Sequence, residues 1–265
     1  MQIYQSAEDA LLRSQHRDPL LRHLTLTILA WAARHAPDRA TTPVIDIGCG
    51  VGRTSLALAR AGYDVIGIDP SDRTVRLAAA AAAADPLAAG RAAFYVGDAE
   101  ADPPAAWHGA FGLAVCSEVI EHVTRPERVL AYARTVLRPG GILILSTPHD
   151  PAQWTVMDSY AGHVTRFSRL DMDTLLAGWD PMERGTEGFP FQRGVMQAYN
   201  ALLRRRGAEH RFEDFGDSPA YRTYVRLMPA LLVVDHWLRG LLLGTTWMIV
   251  ARRRADADEA VAEVA

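Results

Sequence analysis

Residues 116–123, CSEVIEHV, place Glu118, Glu121 and His122 directly behind the apolar run Leu113–Cys116. Side chains three or four residues apart on one helical turn lie on one face. If a short turn follows that run, the two carboxylates and the imidazole converge on one point. Oxygen and imidazole donors brought together in this way can hold a divalent cation. The same residues support a second chemistry, in which His122 takes a proton as general base, an effect of ~10²–10⁴-fold. The plain structural alternative is that Glu118 orients a ligand and His122 caps a helix.

A second constellation lies upstream. VIDIGCGVGRTS, residues 44–55, holds Asp46, Gly48, Gly50 and Gly52 between an apolar run and a helical pattern. Glycines let a backbone turn sharply and approach a ligand closely, and the helix that follows presents free N–H groups. A G-x-G-x-G element alone is weak, because dinucleotide-binding folds carry similar loops. Their fingerprint wants G-x-G-x-x-G, and the sixth position here is Arg53. Asp69 ends the next apolar run, where a carboxylate can take both hydroxyls of a ribose. Asp98, followed by Ala99, ends the one after that. Asp46 and Asp69 could also do no more than cap the turns behind them.

Elements that alternate must position these residues. Residues 18–35 have Leu21, Leu24, Ile28 and Trp31 at helical spacing, with Asp18 as N-cap and Pro19 at the first helical position. Strands are expected at 44–48, 63–69, 92–98, 111–118 and 140–148, and helices at 52–62, 71–84 and 125–137. Such alternation predicts an α/β, Rossmann-like, doubly wound and mostly parallel sheet. A helix capped by Ser168 is expected over 168–179, a poorly defined strand near 180–188 and a last strand at 245–254.

Taken in order, Asp46 with its glycine loop, Asp69, Asp98-Ala99 and LRPGGILILSTP resemble the class I S-adenosylmethionine-dependent methyltransferases, over about residues 44–170. The resemblance implies a seven-stranded sheet and S-adenosyl-L-methionine as cofactor. It places Asp46, Gly48, Cys49, Gly50, Arg53 and Thr54 at the methionine end and Asp69 with Pro70 at the ribose. Asp98 and Ala99 fall at the adenine, and Cys116 and Ser117 on the floor of the site. A narrower resemblance joins the E-x-x-E-H stretch to metal-dependent O-methyltransferases of the ubiquinone-pathway and small-RNA 2′-O-methyltransferase types. In the RNA type a further histidine follows strand five, and His163, just before Arg166-Phe167, matches it; His149 competes. This implies a cation (Mg, Mn, Zn or Fe) on Glu118, Glu121, His122 and His163, with His122, His163 and Glu118 as catalytic groups. Many methyltransferases of broad substrate range carry E-V-x-E-H without a metal requirement, so a metal-free O- or N-methyltransferase with a histidine base stays open.

Composition bounds the partner. The chain has 265 residues and a net charge of −3, and all 28 basic residues are arginine. With no global basic field to hold phosphates, RNA is disfavoured, and lysine Schiff-base chemistry is excluded. Two cysteines without C-x-x-C spacing, and no apolar leader, lead to the expectation of a cytoplasmic protein. One domain is expected: a helical segment (1–40), a cofactor-binding core (41–188), a helical cap insertion before the last strand (189–243), the last strand (244–254) and a frayed tail (255–265). The cap mixes aromatic residues with arginines, which suits a cover over an apolar or aromatic small-molecule acceptor, or peripheral membrane contact. The acceptor expected is a hydroxyl of a phenol or catechol, a sugar or a natural-product scaffold. A cofactor-binding protein without catalysis is the rival from another class. The sequence leaves the oligomeric state open.

Overall fold

The computed structural model of the protein describes residues 18–206 and 219–255. Helix α1 (Pro19–His35) starts where the local chemistry requires: the Asp18 carboxylate accepts from the Leu21 amide at 3.0 Å, and Pro19 fills the first position. Its inner face buries Leu24, Ile28 and Trp31.

Then come β1 (Val44–Ile47), α2 (Arg53–Arg60), β2 (Val65–Asp69), α3 (Asp72–Ala84) and β3 (Ala92–Val96). After them follow β4 (Phe111–Ser117), a single 3-10 turn (Ile120–His122), α4 (Pro126–Val136) and β5 (Leu137–Pro148). The seven-stranded sheet has the order β3-β2-β1-β4-β5-β7-β6, with β6 (Trp179–Glu187) and β7 (Thr246–Arg253). All pairings are parallel except those of β7 with β5 and β6. The fold is thus the Rossmann-like mixed sheet expected. Strand order reverses between the parallel neighbours β1 and β4, so the loops that leave their carboxyl ends run in opposite directions and open a crevice. The glycine loop leaves β1 at that crevice, and Glu118 leaves β4.

Strand alternation supplies two cores. Ile45, Ile47, Leu143, Leu145 and Trp247 pack with α4 on one face, and Val44, Val115, Ile144 and Val250 pack with α1 on the other.

One expectation needs correcting, and one element was not anticipated. The helix capped by Ser168 is shorter than 168–179: α6 spans Arg169–Leu175. The chain turns early because Arg134 donates to the Gly178 carbonyl at 2.9 Å, and a Cβ at Gly178 would lie 2.7 Å from that guanidinium. A short helix not anticipated, α5 (Val156–Ala161), stands in the loop after β5, held by a Thr155–Asp158 capping box. β6 was hard to see in the sequence because Pro181 and a register shift interrupt it; an edge strand tolerates a proline.

The insertion before β7 forms α7 (Phe191–Arg206) and α8 (Pro219–Trp237). Asp235 on α8, fully buried, accepts from the Phe191 and Gln192 amides at 3.0 Å and so caps α7 from outside it. Glu187 at the end of β6 accepts from His23 of α1 at 3.1 Å and from His236 of α8 at 2.8 Å. Among the described residues, no helix is long and apolar enough to cross a membrane. The outward face of α8 does expose Leu227, Val233, Val234 and Trp237. The expected tail, apart from Ala255, and residues 1–17 of the N-terminal segment lie outside the described residues.

Candidate active site

The loop after β1 is a run of left-handed turns: Gly48, Gly50 and Gly52 have φ of 71°, 53° and 79°. Gly48 has a second reason to be glycine. A Cβ there would sit 2.4 Å from Val119 Cγ2. The loop is braced from both sides. Asp69 Oδ2 accepts from the Gly50 amide at 3.0 Å, while its Oδ1 accepts from the Ser71 amide at 2.9 Å and Thr74 Oγ1 at 2.7 Å. Asp46, 2 % exposed, accepts from Ser55 Oγ at 2.5 Å, and burial pushes its pKa up to about 6.

A cavity of about 330 Å³ opens over this loop. Asp46, Gly48, Cys49, Gly50, Arg53 and Thr54 form one wall, and Ser117, Glu118, His122 and His163 the other. Arg53 lies amid the charges of Asp18, Glu118 and Asp46. The expected cofactor residues are therefore divided. Asp69 and Pro70 stand behind the loop and do not line this wall, and neither do Asp98 and Ala99. Asp98 is exposed at the end of β3, where its Oδ1 accepts from the Glu100 amide at 2.8 Å. Cys116 is wholly buried in the core, so of the expected floor pair only Ser117 reaches the cavity.

The roof was not foreseen residue by residue. Leu20 and Leu21 of α1, Met157 of α5, and Met196, Tyr199 and Tyr224 of the insertion close the cavity from above. The aromatic content of 189–243 is the signal for Met196, Tyr199 and Tyr224; nothing in the sequence marked Leu20, Leu21 or Met157 as roof residues.

The motif that followed β4 is now resolved atom by atom. Glu118 sits at φ 57°, a strained conformation for a non-glycine residue. Its amide donates to the Ser146 carbonyl at 2.9 Å and its Oε1 accepts from Ser146 Oγ at 2.9 Å. Burial raises its pKa. Glu121 is fully buried, and its Oε2 accepts from Thr147 Oγ1 at 3.0 Å. Its Oε1 has no hydrogen-bond partner among the described residues. Burial, and then the charge of Glu118, push the Glu121 carboxyl well above the usual range.

Two imidazoles face that oxygen. His122 Nε2 lies 4.0 Å from Glu121 Oε1, and the His122 and His163 rings meet edge-on with centroids 4.8 Å apart. One donor atom from each of Glu121, His122 and His163 lies within 4.8 Å of the others. The tautomers follow from the partners. His122 Nδ1 donates to the Gly162 carbonyl at 3.3 Å, and His163 Nδ1 donates to Asp158 Oδ1 at 2.9 Å. In the neutral form of each ring the lone pair then lies on Nε2. Burial, then His163, lowers the His122 pKa and favours that neutral form.

Asp158 is anchored in turn. Arg166 donates to both of its oxygens, at 2.7 and 3.0 Å, and the Thr155 amide donates at 2.7 Å. Burial alone would raise the Asp158 pKa, but His163 and Arg166 hold it well below the usual carboxylate range. A carboxylate behind a histidine is the support that metal-binding imidazoles ordinarily have. Sequence reading passed over Asp158; the T-x-x-D spacing of Thr155 and Asp158 was the available signal.

The donors fit a divalent cation: one orphaned buried carboxylate oxygen and two oriented imidazole lone pairs. Glu118, expected as a fourth ligand, is not part of that cluster. His149 takes no part either; its Nδ1 donates to the Gly244 carbonyl at 2.9 Å and its ring packs on Trp247. The other trio among the described residues, His23–Glu187–His236, is closed by its own hydrogen bonds, since Arg239 donates to the remaining His236 nitrogen at 3.2 Å.

Comparison with known proteins identifies the family. A family model described as a methyltransferase domain matches residues 14–180, more than half of the chain. The chain is 38% identical over 125 residues to a ubiquinone biosynthesis O-methyltransferase of Ralstonia nicotianae, covering 47% of this chain and 50% of that protein. It is 33% identical over 135 residues to the mitochondrial ubiquinone biosynthesis O-methyltransferase of Mus musculus, covering 49% and 35%. The matched part thus spans half or less of the length of these curated relatives. Among solved structures, geranyl diphosphate methyltransferase in complex with GPP and sinefungin superposes with a TM-score of 0.55 at 16% identity, over 80% of this chain and 71% of that one. The [4+2]-cyclase SpnF does so with 0.57 at 20%, over 87% and 81%. At such identities the likeness concerns the fold.

Proposed function

The chain belongs to the S-adenosylmethionine-dependent methyltransferases, and on that premise we propose that it methylates a hydroxyl of a small, largely aromatic molecule with the help of a divalent cation. The observation that carries this reading is Glu121 Oε1, a fully buried carboxylate oxygen with no hydrogen-bond partner among the described residues, faced by two imidazoles. Leaving such an atom unmatched is costly, and a cation removes that cost.

S-adenosylmethionine supplies an electrophilic methyl group, and a bound cation supplies Lewis acidity that lowers the pKa of a hydroxyl. The chain's own residues do the positioning. The loop Gly48–Gly52, braced by Asp69, and Arg53 hold the methionine end, and the ribose and adenine extend past this wall toward Asp69 and toward Asp98 with Ala99. Glu121, His122 and His163 hold the cation at the cavity wall, with Asp158 keeping His163 Nε2 turned to it. Glu118, whose proton affinity burial raises, receives the acceptor's proton. The roof of Met157, Met196, Tyr199 and Tyr224 excludes water and favours a flat apolar body over a sugar. Two imidazole donors suit Zn²⁺ or Fe²⁺ better than Mg²⁺, with Mn²⁺ between them in preference for nitrogen.

The experiment is a methyl-transfer assay on a panel of phenols and catechols, before and after exhaustive chelation. Methyl ethers should form, disappear with chelation and return with Zn²⁺ or Mn²⁺. Full activity after chelation would replace the cation with a histidine base.

A further inference from the structure

A second cavity of about 400 Å³ lies beyond His163 and shares Glu118, Met157, His163 and Met196 with the first. The two chambers differ in chemistry, and α7 makes the difference. Val195, Met196 and Tyr199 line the first chamber. The next stripe of the same helix, Arg193, Gln197, Asn200 and Arg204, lines the second. Those four are spaced i, i+4, i+7 and i+11, which is one helix face.

The charges of this second chamber do not cancel. Three guanidinium groups line it against two carboxyl groups, Glu118 and Asp158, and Asp158 is paired with Arg166. Arg193 donates only to the Leu243 carbonyl, at 2.9 Å, and no carboxylate stands against Arg193 or Arg204 among the described residues. Asn200 Oδ1 accepts from the Val156 amide at 3.1 Å, which leaves its two N–H donors for a ligand. A wall of guanidinium and amide donors recognises an anion through charge-assisted hydrogen bonds.

We propose that the methyl acceptor carries an anionic group, a carboxylate or a phosphate, that docks on the Arg193–Arg204 stripe of α7 while its hydroxyl reaches the Glu118–His163 wall. This inference rests on the proposed methyl transfer to a hydroxyl, and it narrows the acceptor class.

The test is calorimetric binding to the full chain loaded with S-adenosylhomocysteine, with no turnover. The probes are 4-hydroxybenzoate, 4-hydroxyphenyl phosphate and the neutral 4-hydroxybenzyl alcohol. At least one anion should bind about tenfold tighter than the alcohol, and added salt should reduce that advantage. The tighter of the two anions identifies the group. In R193Q/R204Q the advantage should vanish, with alcohol affinity and S-adenosylhomocysteine affinity unchanged. If the double variant does not fold, R204Q alone, on the exposed end of α7, should reduce the preference. Equal binding of all three probes, no detectable anion binding, or a preference that survives the substitutions would overturn the proposal. Failure of methyl transfer with the anion preference intact would instead defeat the reaction and leave this site standing.

Discussion

At the scale of residues, the site is a chain of support running outward: Glu121, His122 and His163, then Asp158, then Arg166 and Thr155. Asp158→Asn tests that chain. The amide can still accept from His163, but it cannot match the buried Arg166 guanidinium. Losing one partner of a buried pair costs about 3–5 kcal/mol, and losing the support behind a metal-binding imidazole costs about 10–100-fold in affinity. Thermal unfolding and metal titration of the variant should show both losses; wild-type values in either would separate Asp158 from the site. Glu118, Glu121 and His122 could be picked out in the sequence because eight consecutive residues hold them, and His163 because of the resemblance to the RNA-type enzymes, which have a histidine after strand five. Asp158 could not, since its role depends on how a short helix folds back onto Arg166. Glu118 shows the converse limit: its spacing suggests a ligand, while Ser146 holds it aside.

At the scale of elements, the glycine loop and the turn after β4 are in contact and cannot change independently. Gly48 Cα faces Val119, the residue between Glu118 and Ile120. Gly48→Ala would add a Cβ at 2.4 Å from Val119 Cγ2, at a φ of 71°. The backbone strain alone is about 1–3 kcal/mol, and the clash displaces loop and turn together. S-adenosylhomocysteine affinity should fall by about tenfold or more, with a lower thermal midpoint; unchanged binding would contradict this coupling. The sheet itself was legible, because strand and helix periodicities alternate cleanly through Pro148. Beyond it the signals weaken for physical reasons. Pro181 breaks the pattern of β6, α5 is too short to show periodicity, and α6 is cut off by the contact between Arg134 and Gly178.

At the scale of the whole molecule, Glu187 ties the core to its cover, since it joins β6 to α1 through His23 and to α8 through His236. Burial would raise its pKa, but hydrogen bonds from the two histidines hold it down to about 2, against an ordinary 4.5. A folded value below the unfolded one means that the stabilisation is complete above about pH 4.5 and is lost as pH falls toward 2. The contribution is on the order of 3 kcal/mol. Denaturant unfolding across this acid range should show the loss in wild type and a flatter dependence in Glu187→Gln. The same acid slope in both would remove Glu187 from this role. Nothing in the sequence marked this residue, because its partners lie 164 and 49 positions away.

The central claim is that Glu121, His122 and His163 form a cation site beside the cofactor loop. Calorimetric titration of Zn²⁺ and Mn²⁺ into the chain loaded with S-adenosylhomocysteine tests it most directly, with Glu121→Gln/His163→Ala in parallel. One ion bound per wild-type chain and none in the variant, at equal S-adenosylhomocysteine affinity, is the result expected. Wild type that binds S-adenosylhomocysteine fully and takes up neither ion would contradict it.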